Sequence, residues 1–221
     1  MRLIGIIPLG GNATRMKHLP KFLLPCDIGS NLLDHVIEIF NINGINNVIA
    51  GVSSSNNNVL QNYTNLTKLI VDTKTMAETV YKLISCIQQE EDKFILIMPD
   101  TYFTINNEIS AMKTMLDTYD IVVLCWNIKE HQIGKVGQCN IVDGEVVDVV
   151  DKNPSCTYPY FWGVIGWNSK LNSYISREWE TIGDLIKTSI KMNIKVGAII
   201  VPSNYYDCGT YSEYFMFIKN N

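Results

Sequence analysis

The residues of this 221-residue chain best suited to chemistry come early, in "GIIPLGGNATRMKHLPKFLLP", residues 5 to 25. An apolar run reads as a buried strand and ends in Gly10-Gly11, where a backbone can turn tightly and approach an anion unobstructed by side chains. Successive N–H groups at such a turn form a nest for phosphate oxygens. Among the cations that follow are Arg15 with its planar fork and Lys21 behind Pro20, both able to face the same anion. The spacing matches neither G-x-G-x-x-G nor G-x-x-x-x-G-K-[ST], which excludes the dinucleotide fingerprint and the P-loop. Two carboxylates sit where apolar runs end, Asp100 after "KFILIMP" and Asp207 in "YYDCG". Taken singly, each residue has a plainer reading. Asp100 or Asp207 could cap a helix, Lys152 beside Asp151 could be a solvated turn pair, and the glycines could be a bare strand-to-helix connection.

The elements that must position these residues alternate along the chain. "RLIGIIPLG" reads as a buried strand and "NLLDHVIEIFNING" as a helix ended by Gly44. Strands "NNVIAGVSS" and "TKLIVDT" precede a strongly amphipathic helix, "TMAETVYKLISCIQQEE", with Thr75 at its start. "KFILIMPD" is a strand, "NNEISAMKTMLDTY" a helix and "DIVVLCWNI" a strand. The texture then changes, and "KVGQCNIVDGEVVDVVDKN" reads as a hairpin around Asp143-Gly144, a favoured two-residue turn. "FWGVIGWN" is a strand, "TIGDLIKTSIKMN" a helix, and "KVGAIIVPSNYYDCG" a last strand before a short terminal helix. A parallel β-α front with a hairpin-bearing back makes a mixed, mostly parallel α/β sheet, expected open, with ligands beyond the carboxyl ends of its strands. One domain is expected over residues 1–221, with two functional halves, about 1–125 and about 126–221.

Composition bounds the partners. A net charge of −4 argues against nucleic acid or an anionic membrane, so any phosphate must be held by a few placed cations. The six scattered cysteines suit a reduced, cytoplasmic chain, and no apolar run approaches the roughly 18 residues of a membrane helix. Tyr205, Tyr206, Phe161 and Trp162 are expected as core or pocket wall rather than as a stacking platform.

Read whole, "PLGGNATRM…LPKFLLP" resembles the G-G-x-G-T-R-(L/M)-…-P-K-…-L-L-P signature of sugar-phosphate nucleotidylyltransferases, with Ala13 where the family usually has Gly. "LIMPDTYF" matches the metal-binding Asp segment, with Pro99 at a common Gly. "KVGQCNIVDGEVVDVVDKNP" is similar to the Y-G-…-E-K-P stretch, loosened to Asp151-Lys152-Asn153-Pro154. "FWGVIGWN" and "YYDCGTYSEYF" are similar to the next two segments. The resemblance spans residues 3 to about 215.

It implies a GT-A/Rossmann-like three-layer fold and Mg²⁺-dependent transfer of a nucleotide from an NTP to a sugar-1-phosphate, releasing pyrophosphate. Arg15 and Lys21 would be catalytic. Leu9, Gly10, Gly11, Asn12, Thr14, Thr75, Met76 and Glu78 would hold the nucleotide. Gly137, Asp151, Lys152 and Gly163 would hold the sugar phosphate, and Asp100 and Asp207 the metal. The base-recognition segment "VDTKTMAETV" has Thr75 where Gly is usual and no obvious Gln, so UTP or dTTP is favoured on overall resemblance alone. No left-handed β-helix domain is expected, so a single activity is. Two alternatives stand beside this one: transfer to a non-sugar phosphate such as phosphocholine, and a homologue that binds nucleotide without turnover. Association into a homo-oligomer is left open.

Overall fold

The computed structural model describes residues 2–10, 16, 19–87 and 92–220. Strand β1 (Leu3–Leu9) is followed by a 3-10 turn at Lys21–Leu23, a hairpin of β2 (Pro25–Asp27) and β3 (Ser30–Asn31), and helix α1 (Leu32–Ile42). Next come β4 (Asn47–Val52), short α2 (Ser54–Asn57), β5 (Thr67–Ile70), α3 (Met76–Ile87), β6 (Lys93–Ile97), β7 (Thr101–Phe103), α4 (Glu108–Met115) and β8 (Ile121–Asn127). The remainder holds β9 (Gly137–Val142), β10 (Glu145–Asp151), β11 (Tyr160–Asn168), α5 (Gly183–Lys191), β12 (Val196–Ile200), β13 (Tyr205–Asp207) and α6 (Tyr211–Asn220).

Nine strands form one mixed sheet in the order β5-β4-β1-β6-β11-β8-β12-β10-β9. Seven run the same way, and β10 and β11 run against them. The open sheet expected from sequence is instead closed at one end, because β9 also pairs with β11 and completes a ring of β11, β8, β12, β10 and β9. Strand lengths cause this. β6 stops at Ile97 opposite Val164, whereas β11 runs on to Tyr160, and Tyr160 and Phe161 take Cys139 and Gln138 of β9 as partners. An irregularity between Trp162 and Val164 marks the changeover.

Both faces of β1 are covered, which is why it reads as an unbroken apolar run. Ile4 and Ile6 join Val80 and Leu83 of α3 and Leu185 and Ile186 of α5. Ile7 and Leu9 join Val36 and Phe40 of α1 and Ile109 and Met112 of α4. The hairpin turn adopts left-handed angles at Asp143 (φ 50°) and Gly144 (φ 79°), as a two-residue Asp-Gly turn requires. The segment expected as one last strand is two. β12 ends at Ile200, Pro202 lacks the N–H a ladder needs, and β13 leaves the main sheet to pair antiparallel with β7. Among the described residues no helix is long and apolar enough to cross a membrane.

Helix α1 matters to the site because it carries the turn that presents Lys21, whose neighbour Phe22 is buried against it. Its start is fixed by a capping box: Asn31 Oδ1 accepts from the N–H groups of Leu33 and Asp34, Asp34 accepts from Asn31 N–H, and Asn31 Nδ2 donates to Tyr63. Replacing Asn31 by Ala is expected to cost about 1 kcal/mol, a fall of about 2–4 °C in Tm for a domain of this size. Asn31→Asp should recover most of it. A thermal melt in which Asn31→Ala matches the wild type would contradict this account.

Candidate functional site

A cavity of about 340 Å³ opens beyond the carboxyl ends of β1 and β6. Leu9 and Gly10 form one wall, Lys21 and Phe22 another, Thr75 and Met76 a third, and Asp100 closes the end. Gly10 is packed too closely to carry a side chain comfortably. Its φ is not positive, and a Cβ there would lie 3.1 Å from the hydroxyls of both Thr73 and Thr79, which bond each other at 2.6 Å. The backbone of β1 thus passes flush against the start of α3. Gly11, Asn12, Thr14 and Arg15 lie outside the described residues.

Lys21 is placed by local chemistry. Pro20 pre-sets φ at −63°, and the following 3-10 turn buries Phe22 while leaving the lysine facing the cavity. Its Nζ lies 3.5 Å from Asp100 Oδ2. Thr75 serves the start of α3: its Oγ1 accepts from Glu78 N–H and donates to the carbonyl of Trp179. Met76 lines the cavity, whereas Ala77 is fully buried. The Glu78 carboxylate accepts from Lys74 N–H and pairs with Lys82, so it braces the loop and is not part of the cavity wall. Lys74 is a cavity cation that sequence reasoning passed over; its place just before the helix cap of α3 was the available signal.

Asp100 does not cap a helix. It falls between β6 and β7, and its carbonyl accepts from Cys208 N–H at 2.9 Å. The β7–β13 ladder sets Thr101 opposite Asp207, so two aspartates far apart in sequence become neighbours. Asp207 Oδ1 accepts from Gly209 N–H at 2.9 Å, while capping of α6 falls to Thr210. Burial, then the adjacent charges of Asp100 and Glu213, push the Asp207 carboxyl up to about 7 against the opposing pull of Gly209 N–H and Lys21. Among the described residues no three His, Cys, Asp or Glu side chains cluster as a metal site. Two hard oxygen donors that repel each other nevertheless fit Mg²⁺, which usually takes one or two carboxylates with waters and substrate phosphates.

The other expected residues lie apart from this cavity. Gly137 begins β9 opposite Asp151, which ends β10, and Lys152 N–H donates to Val136. Lys152 is exposed, left-handed at φ 48°, and 4.0 Å from Asp151. Gly163 lies beneath the rings of Tyr205 and Trp126. A smaller cavity of about 60 Å³ lies on the far side of Asp207, where Glu213 accepts from Thr210 and pairs with Lys135 at 3.8 Å. Glu213 has no distinguishing sequence signal, since its contacts depend on how α6 folds back.

The raised Asp207 pKa has a consequence for stability. In metal-free buffer the folded state keeps a proton that the unfolded chain, titrating near 3.9, releases. The contribution of this group therefore stabilises at low pH and fades as pH rises from about 4 through about 7. The difference in Tm between wild type and Asp207→Asn is expected to shift against the wild type across that window. A constant difference from pH 4 to pH 8 would contradict the assignment.

No protein-family model and no curated protein matches the chain. Solved structures do. One, provisionally assigned as a glucose-1-phosphate thymidylyltransferase from Bacillus anthracis and solved with sucrose, aligns at TM-score 0.86 and 17% identity over 99% of this chain and 94% of that one. A UTP-bound UGPase from Acinetobacter baumannii aligns at 0.80 and 14% over 100% and 93%. A UDP-glucose pyrophosphorylase from Acinetobacter baumannii aligns at 0.82 and 15% over the same shares. These neighbours are sugar-phosphate nucleotidylyltransferases, and the chain has their fold.

Proposed function

We propose that the chain is a sugar-1-phosphate nucleotidylyltransferase, transferring a nucleoside monophosphate from UTP or dTTP to a sugar-1-phosphate and releasing pyrophosphate. In this reading it is a cytoplasmic, single-domain GT-A-like three-layer protein, with the nucleotide held by residues about 1–125 and the sugar phosphate by about 126–221. The observation that carries the reading is Lys21 at 3.5 Å from Asp100 on the wall of the cavity, with Asp207 alongside. A cation for a triphosphate beside paired carboxylates for a divalent ion suits a reaction between two polyanions. Shared fold with nucleotide-sugar pyrophosphorylases supports the same chemistry.

A phosphate oxygen of the sugar-1-phosphate attacks the α-phosphorus of the nucleotide. A P–O bond forms there while the bond to the β-phosphate bridging oxygen breaks, and that electron pair leaves with pyrophosphate. The attacking oxygen is largely ionised near neutral pH, its second pKa being about 6, so no side chain need remove a proton. What the protein supplies is alignment and cancellation of repulsion. Lys21 neutralises triphosphate charge, and Arg15 is assigned the same task. Lys152, exposed at the end of β10, receives the incoming phosphate. Mg²⁺ held by Asp100 and Asp207 would neutralise the remaining phosphate charge.

The test is pyrophosphate release with Mg²⁺, over a grid of nucleoside triphosphates against sugar-1-phosphates and phosphocholine. Turnover is expected with a hexose 1-phosphate and UTP or dTTP. Asp100→Asn, Asp207→Asn and Lys21→Ala should each lower kcat by about 10²–10³ with circular dichroism unchanged. Turnover of phosphocholine alone would replace the acceptor, and a folded protein that binds nucleotide but releases no pyrophosphate from any pairing would remove the transferase reading.

A further inference from the structure

Trp162 stands between the two halves of the site. On one side of β11, β6 ends at Ile97 and leads into Pro99 and Asp100. Further along that same side, β9 takes over, its Gln138 opposite Phe161 and its Gly137 one step on. Gly137 in turn faces Asp151, which precedes Lys152. Trp162 therefore falls in a row between the carboxylate end of the nucleotide cavity and the lysine assigned to the sugar phosphate. Its side chain packs against the core cluster on the α3/α5 face, as do Met76 and Met98, two residues that also line the cavity.

Space for the indole is made by two missing side chains. A Cβ on Gly137 would come within 2.3 Å of Trp162 Nε1, and one on Gly183 within 2.7 Å of Cζ2. The ring is only partly buried. Trp167 and Trp126 donate their N–H groups to Asn172 and Ser203, but that of Trp162 has no acceptor among the described residues. A partly buried indole N–H usually has a partner. Two glycines that seat an aromatic ring beside a phosphate-binding row, with its donor unused, describe a place for a ligand rather than a core residue.

We propose that Trp162 is the recognition platform for the pyranose ring of the sugar-1-phosphate, a role beyond the pocket wall expected of it. The indole face meets the C–H groups of the sugar and its N–H bonds a ring hydroxyl. This rests on the transferase reading. A hydroxylated ring fits better than a quaternary ammonium, because an ammonium offers no acceptor for the N–H and is held by a cage of aromatic rings rather than by one.

The experiment is steady-state pyrophosphate release with the hexose 1-phosphate that the wild type turns over fastest. Trp162→Leu is expected to raise KM for that sugar phosphate about tenfold, leaving kcat and the nucleotide KM near wild type. Trp162→Phe, which keeps a ring without the N–H, should raise it less. Titrating the sugar phosphate should change wild-type tryptophan fluorescence but not that of Trp162→Phe, a readout that holds even if the leucine variant folds poorly. An unchanged sugar-phosphate KM, equal rises in both KM values, or a fluorescence change that persists in Trp162→Phe overturns the platform while the transferase stands. A wild type that accepts no sugar phosphate overturns both.

Discussion

A ladder of three residue pairs, between β7 and β13, holds the proposed chemistry together. Asp100 and Asp207 are 107 positions apart in sequence and carry like charges, so nothing but imposed geometry would keep them adjacent. The imposition is backbone pairing of Thr101 to Asp207, reinforced by the Cys208 N–H on the Asp100 carbonyl. An apolar cluster of Met16, Leu24, Leu32, Cys208 and Phe217 then ties α6 to the opening segment of the chain. The cost appears in the raised Asp207 carboxyl, the usual result of seating two carboxylates together in a partly dry place. A site that repels itself when empty is suited to a cation, and in the proposed reaction to the polyanion that comes with one.

The second constraint is the changeover along β11. A nine-residue strand outlasts its five-residue neighbour β6, and the vacated edge is taken by β9. That substitution closes the ring and sets the hairpin's Gly137, with Asp151 opposite it, along the edge of β11 that β6 leaves. Trp162 sits at the junction, its indole against Gly137 of β9 and Gly183 of α5.

Much of this was legible in the residues. Strand and helix periods, the Asp-Gly turn and the helix start at Thr75 are local, and each follows from neighbours a few positions away. Where the reading went astray, a distant partner decided. β13 read as a continuation of β12, since nothing between residues 196 and 207 reveals that β7 is waiting for it.

By itself, the sequence determined which groups are present and in what order: a glycine-ended first strand, a lysine behind a proline, acids at strand ends, and cations too few for a nucleic-acid surface. Local sterics and periodicity are written along the chain, and that much can be read without folding it. Only the tertiary structure decided that Gly10 is small to admit Thr73 and Thr79, that Gly137 and Gly183 clear a seat for Trp162, and that Asp100 meets Asp207. Those outcomes depend on which surfaces touch, and contacts between residues far apart in sequence leave no period or turn signal of their own.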